Sequence, residues 1–223
     1  MMKKTGFTLA EVLITLSIIG VVAVMTLPAL MTNVQEEQAK TGLKKGLNTL
    51  TEAAQMSQAI DGFDYSSVAA TSTAEDSTEA QTIVGLLKNR TSWDVAKSGT
   101  TTTEATAVNN GSSNYVMFFR DGSALILNLD DTAVDQVTAD PEADGLPKGL
   151  KAVYDVNGVK KPNLLSNCMG ASGATLKSTG SDESDADACE NKANRNIRDQ
   201  FSIRLRGGYA QANGEAARWA YGK

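Results

Sequence analysis

Residues 3–34 read KKTGFTLAEVLITLSIIGVVAVMTLPALMTNV, and this stretch decides the fold. Two lysines, Lys3 and Lys4, lead into a run without a charged residue from Val12 to Val34, 23 positions. As a helix the run would span about 34 Å, enough for a hydrocarbon layer of roughly 30 Å. An ordinary signal anchor or a secretory signal peptide begins in the same way. Three details stand against those readings. No clean A-x-A site follows the run, which is also longer than a usual signal-peptide core. Glu11 puts a carboxylate one turn inside the apolar segment, where a charge is costly and by default functional and paired. Gly20 and Pro28 interrupt the run with residues that membrane helices tolerate but that weaken the hydrogen-bond ladder. The basic residues ahead of the run are expected to hold the N-terminus in the cytoplasm, with everything beyond the helix on the far side of the membrane.

Working outward, the helix is expected to continue. From Thr32 to Ile60, the apolar residues Ala39, Leu43, Leu47, Leu50 and Ala54 recur at helical spacing. Glu36, Glu37, Lys40, Lys44, Lys45 and Glu52 fall largely elsewhere on the cylinder. Gly42 and Gly46 lower the local propensity, and Asp61-Gly62 is a stop signal. The first helix therefore runs from about Phe7 to about Ile60, with a bend assigned to Gly20 and Pro28. Residues 64–82 read as loop, 79–89 as a short helix, and 97–114, with a threonine run and Asn-Asn-Gly, as loop. Tyr115–Arg120 and Ser123–Leu129 flank Asp121-Gly122, a strong hairpin signal. Leu150–Val156 alternates before Asn157-Gly158. Phe201, Ile203 and Leu205 alternate with Ser202, Arg204 and Arg206, which predicts a last strand with one buried face. The expected fold is α+β: a long N-terminal helix whose amphipathic second half carries an antiparallel sheet of three to five strands.

Composition narrows the function. The chain has no histidine, which excludes Ser-His-Asp and Cys-His catalysis in their usual forms and any His-ligated metal. Its formal net charge of −5 offers no basic surface to nucleic acid. No cofactor and no catalytic residue is assigned.

The string Lys3-Lys4-Thr5-Gly6-Phe7-Thr8-Leu9-Ala10-Glu11 resembles the processing site of type IV pilins and type II secretion pseudopilins. In that family a dedicated peptidase cuts after the glycine and methylates the new amine. The resemblance implies a cut between Gly6 and Phe7, and a methylated Phe7. It assigns Glu11 to the family's acidic position, and Gly20 and Pro28 to the glycine and proline of the same helix. Ala10 departs from the larger aliphatic residue common there. The likeness covers roughly Lys3 to Ala29. It implies a leader at 1–6, a transmembrane and assembly helix at 7–31, an amphipathic spine at 32–62 and a periplasmic head at 63–223. It also implies a physical role for Glu11. The cationic amine at Phe7 of one subunit neutralises the Glu11 carboxylate of a neighbour and sets axial register. The alternative is a Glu11 that only reaches toward the interface.

A second, less specific resemblance lies in the head. Phe119-Arg120-Asp121-Gly122, Tyr154-Asp155-Val156-Asn157-Gly158, Lys161-Pro162-Asn163 and Arg198-Asp199-Gln200-Phe201 look like a block found in some pilin-like heads. In those relatives the Pro-Asn and Asp-x-x-Phe elements lie closer together. Here residues 164–196 intervene and hold both cysteines, Cys168 and Cys189. They read as an inserted loop closed by one disulfide, against the alternative of two unpaired thiols. Closing about twenty residues is worth roughly 3 kcal/mol in the chain-entropy model. Calcium loops occur in some pseudopilin heads, and oxygen ligands suit calcium. Asp130, Asp131 and Asp135, or Asp155 with Asn157 and Gly158, are the places to look. No glutamate completes an EF-hand pattern, and a solvated loop and an Asn-Gly turn are the competing readings, so no metal is assigned. Asp182, Glu183, Asp185 and Asp187 read as solvated surface. Arg195, Arg198, Arg204 and Arg206 read as the polar face of a strand, and Trp219 and Tyr221 as core or rim contacts.

The function expected is that of a structural subunit, pseudopilin or minor pilin, of a type II secretion pseudopilus or type IV pilus. The alternative is a tip or minor subunit whose head binds an exported protein, a surface or DNA. The partners implied are other pilin or pseudopilin subunits, the prepilin peptidase and methyltransferase, the inner-membrane assembly platform and membrane lipid. No nucleic acid is expected as a partner. The location implied is the bacterial inner membrane, single-pass, with the C-terminal head in the periplasm or in an extracytoplasmic filament.

Overall fold

The computed structural model describes residues 6–66, 82–108, 114–128, 149–168 and 195–222, with backbone alone at 28, 29, 31 and 32. The chain divides into two units, Met1–Gln38 and Ala39–Lys223. One helix, α1 (Leu9–Asp61), contributes to both.

In the first unit α1 is apolar and uncovered. Leu9–Leu27 is a 19-residue stretch long and apolar enough to cross a membrane, and none of it is buried. The helical assignment passes through both Gly20 and Pro28. Its few hydroxyls are turned onto the helix itself. Thr15 Oγ1 donates to the Val12 carbonyl at 3.0 Å, Ser17 Oγ to Leu13 at 2.8 Å and Thr26 Oγ1 to Val22 at 3.0 Å. Back-bonding of this kind lets a hydroxyl lie in an apolar surrounding without an unmet polar group.

In the second unit the apolar stripe of α1 becomes the core. Leu43, Leu47 and Leu50 are at most 3% exposed, and each contributes about 2 kcal/mol of transfer free energy. The helix ends as the Asp61-Gly62 signal predicts. Gly62 takes a φ of 80° and its N–H returns to the Ser57 carbonyl, a left-handed C-terminal stop that glycine adopts without strain. A five-stranded antiparallel sheet packs on this stripe. Its strands are β1 (Asn114–Phe118), β2 (Ala124–Asn128), β3 (Leu150–Asp155), β6 (Gln200–Arg206) and β7 (Tyr209–Ala212), in the order β1-β2-β3-β6-β7. Met117, Leu125, Leu127, Leu150, Ile203 and Leu205 meet α1 and α2 (Ile83–Arg90) on one face. Val116, Phe118, Ala124 and Ile126 form a smaller cluster on the other. A two-stranded ribbon, β4 (Asn167–Cys168) with β5 (Arg195–Asn196), stands apart from this sheet. The last element, α4 (Glu215–Tyr221), buries Ala216, Ala217 and Ala220.

Three expectations change. Residues 97–114 are not all loop, because α3 (Thr103–Val108) forms there. Thr102 caps it, accepting the Ala105 N–H at 3.1 Å, and Ala105 and Val108 pack on the second face of the sheet. The strand at Phe201–Leu205 is not the last, since the Gly207-Gly208 turn returns the chain as β7. Arg204 is not on a solvated face but 3% exposed. Gly149 gives its aliphatic stem room: a Cβ there would come within 2.9 Å of Arg204 Cγ.

Both sheet edges carry protection. Outside β1, Val116 exchanges both backbone hydrogen bonds with Gly99, the Phe118 carbonyl accepts from Asp94, and the Phe118 N–H donates to Ser98 Oγ. At the other edge the Ala210 N–H of β7 donates to Thr51 Oγ1 of α1 at 3.1 Å. The β1 edge, closed in this way, resists strand addition.

Candidate functional site

The start of α1 involves Glu11 directly. The Thr8 N–H donates to Glu11 Oε2 at 2.9 Å, and the Thr8 hydroxyl donates to the same oxygen at 2.8 Å. In return the Glu11 N–H donates to Thr8 Oγ1 at 3.3 Å. This is a capping box, which satisfies two orphan donors at a helix end reciprocally. Its sequence signal is the spacing Thr8-x-x-Glu11. A reading of Glu11 as a lone carboxylate in lipid does not use that signal and so misses the box. Phe7, one residue before the cap, is 90% exposed. Gly6 has open space where a side chain would stand. Gly20 likewise has no atom within 4 Å of a built Cβ, so nothing in its own unit crowds it. The side chain of Pro28 is not described.

Residues of three of the four motifs of the second resemblance come together in the head as a polar knot. Asp155 is fully buried. Its Oδ1 accepts the Asn157 N–H at 3.0 Å and the Gly158 N–H at 2.7 Å, and its Oδ2 accepts from Gln200 Nε2 at 2.9 Å. Burial pushes its carboxyl up to about 6, against the opposing pull of these hydrogen bonds. Gln200 Nε2 also reaches the Val108 carbonyl at 3.1 Å, tying α3 to the sheet. Asp199 accepts the Asn163 N–H at 2.7 Å and the Leu164 N–H at 2.9 Å. Asp155 and Asp199 thus fix the turns of these three motifs, and the calcium reading of Asp155 finds both carboxylate oxygens already engaged with the chain. Among the described residues no group of three or more His, Cys, Asp or Glu is placed to hold a metal ion. Asp130, Asp131, Asp135, Asp182, Glu183, Asp185 and Asp187 lie outside the described residues.

Asp121 anchors the hairpin turn. It accepts Ser123 N–H and Oγ, and pairs with Lys45 Nζ of α1 at 2.8 Å. Hydrogen bonds from Lys45 and Ser123 outweigh its partial burial and hold its carboxyl below the usual range. The arginines expected along one strand face take separate roles. Arg195 lies over the Trp219 ring at 4.3 Å, where Lys40 Nζ also sits, at 4.0 Å. Arg198 and Arg206 are exposed, and Arg204 is buried. Trp219 is a rim contact of the core, while Tyr221 is 37% exposed. Cys168 is fully buried against Ala216, Ile197 and Trp219, opposite Arg195 in the β4–β5 pair. Its expected partner, Cys189, lies outside the described residues.

No curated protein and no solved structure matches the chain. Residues 1–27 match the family model for the prokaryotic N-terminal methylation motif. With that motif opening an exposed apolar helix and a small antiparallel sheet behind it, the chain carries the signature of type IV pilin and pseudopilin processing on an α+β fold of pilin-like architecture.

Proposed function

We propose that the chain is a structural subunit, pseudopilin or minor pilin, of a type II secretion pseudopilus or type IV pilus. It is cut between Gly6 and Phe7, methylated on Phe7 and assembled through α1. The observation that carries this reading is the methylation motif at residues 1–27, which takes in the uncovered apolar stretch Leu9–Leu27 at the start of α1. Removing residues 1–6 takes the formal charge from −5 to −7, the new terminus aside. It places a cation next to the Thr8–Glu11 box, where the amine of a neighbour can compete for the same carboxylate. The partners are other pilin-type subunits, the processing enzyme and an inner-membrane assembly platform. Mass spectrometry of the membrane-extracted protein tests the cut: the first peptide should begin with N-methylated Phe7. A product beginning at Met1, or at any other residue, would overturn the proposal.

The second reading is a tip or minor subunit whose head binds a ligand. It is favoured by the β4–β5 ribbon, which brings the two ends of the insertion at 164–196 side by side. A Cys168–Cys189 bridge would close the same loop covalently, and we propose it as part of either reading. Alkylation of unreduced protein checks it, with no labelled thiol expected; two labelled cysteines would rule the bridge out.

A further inference from the structure

Asn157-Gly158 is the sequence most prone to spontaneous loss of a side-chain amide, because a glycine nitrogen has unhindered access to the asparagine carbonyl. Elsewhere a bulkier following residue can suppress the reaction, but here that route is closed. Gly158 has a φ of 62°, and a Cβ on it would run into the Gly122 carbonyl oxygen of the neighbouring turn. The fold therefore demands a glycine after Asn157. What surrounds the pair is unusual. The Gly158 N–H is tied to Asp155 Oδ1 at 2.7 Å, shorter than the 3.0 Å bond from Asn157 to the same oxygen. Asn157 Oδ1 is buried with no donor among the described residues.

We infer that Asn157 is a latent deamidation site and that Asp155 is the positioning residue that keeps it intact. In the reaction the Gly158 amide gives its proton to hydroxide, and its nitrogen bonds to Asn157 Cγ. The bond from Cγ to the side-chain nitrogen then breaks, and ammonia leaves. Water opens the resulting five-membered imide at either carbonyl, giving aspartate or isoaspartate. Asp155 opposes the first step in two ways. Its hydrogen bond fixes the proton and the peptide plane, and its negative charge disfavours a second anion forming within hydrogen-bond distance. A carboxylate is far too weak a base to take the amide proton outright. The bare Asn157 carbonyl opposes the second step, since no donor polarises it toward attack. Gln200 also faces this turn, and Asp199 is a second carboxylate close enough to act on Asp155. Gln200 bonds the far oxygen of Asp155 and leaves the Gly158 contact untouched.

Full-length protein in detergent, aged in mildly alkaline buffer and peptide-mapped by mass spectrometry, tests the inference. A synthetic peptide spanning 150–162 gives the unguarded rate. Wild type should convert Asn157 at least about tenfold more slowly than the peptide, the scale of a hydrogen bond to a charged group. Asp155→Ala should approach the peptide rate. Gln200→Ala, which weakens the same knot without freeing Gly158, should stay near wild type. If Asp155→Ala does not fold, Asp155→Asn keeps the volume with a weaker, neutral acceptor and should fall between wild type and peptide. The inference fails if Gln200→Ala and the Asp155 variant accelerate alike, because protection would then be a property of the fold alone. It also fails if the Asp155 variant ages at the wild-type rate, or if wild type ages at the peptide rate.

Discussion

In the single chain the Glu11 carboxylate already has a partner, the N–H and hydroxyl of Thr8. Two roles for Glu11 therefore predict different mutant series. If it serves only as a helix cap, removing either member of the box costs about the same, roughly 1 kcal/mol of helix stability. If it also receives a neighbour's amine in an apolar surrounding, its loss strands a buried cation, a cost of about 3–5 kcal/mol. The second figure is the larger, so assembly should separate the two substitutions. Glu11→Ala is expected to insert in the membrane normally and yield almost no filament. Thr8→Ala should assemble with modestly reduced yield. Filament recovery by shearing, normalised to membrane-bound subunit, checks this. Equal losses in both variants would return Glu11 to a capping role.

At the scale of elements, the contact between α1 and β3 depends on two glycines one turn apart. A Cβ at Gly42 would meet the Val156 side chain, and one at Gly46 would meet the ring of Tyr154, itself buried. In an exposed helix Gly→Ala would gain about 1 kcal/mol of propensity. Here the ring has to move within a packed core, and overpacking costs about 1–3 kcal/mol. The clash should win for Gly46→Ala, giving a net loss of up to about 2 kcal/mol, read as a lower midpoint in denaturant. A midpoint at or above wild type would mean that the helix and strand can separate freely. These glycines also mark a limit of the sequence. Leu43, Leu47 and Leu50 announce the buried stripe by period, and Asp121-Gly122 announces the β1–β2 hairpin by turn chemistry. Gly42 and Gly46, by contrast, read as weak points of a helix, because their reason is a strand more than a hundred residues away. The α3 helix was illegible for the same reason: its six residues are threonine-rich, and only the far face of the sheet gives Ala105 and Val108 something to cover. The processing segment was legible because its meaning is local, whereas the polar knot showed its motifs but not their purpose. Asp155-x-Asn157-Gly158 suggests an ion until Gln200 is seen closing it.

For the whole molecule, every residue of the main core cluster lies at or beyond Ala39, so the second unit holds its own hydrophobic core. A fragment covering 33–223 should fold in water without detergent, and its stability should carry the signature of Asp155. Burial raises that carboxyl from 3.8 to about 6, so between those values the folded state holds a proton that the unfolded chain has released. The stabilisation is fully present below the unfolded value and is lost as pH rises through the folded one. At 1.36 kcal/mol per unit this amounts to on the order of 2–3 kcal/mol between about pH 4 and pH 6. Asp121, held below its usual range, acts in the opposite sense, its contribution fading as pH falls through its lowered value. It is exposed enough for solvent to screen it, so the buried group should set the slope. Urea titrations of the fragment across that window are expected to show stability declining with rising pH, and Asp155→Asn should flatten the decline. A fragment that stays unfolded would place the first 32 residues among those the head needs. A wild-type slope of the opposite sign would mean that Asp155 is not the group that dominates the acid response.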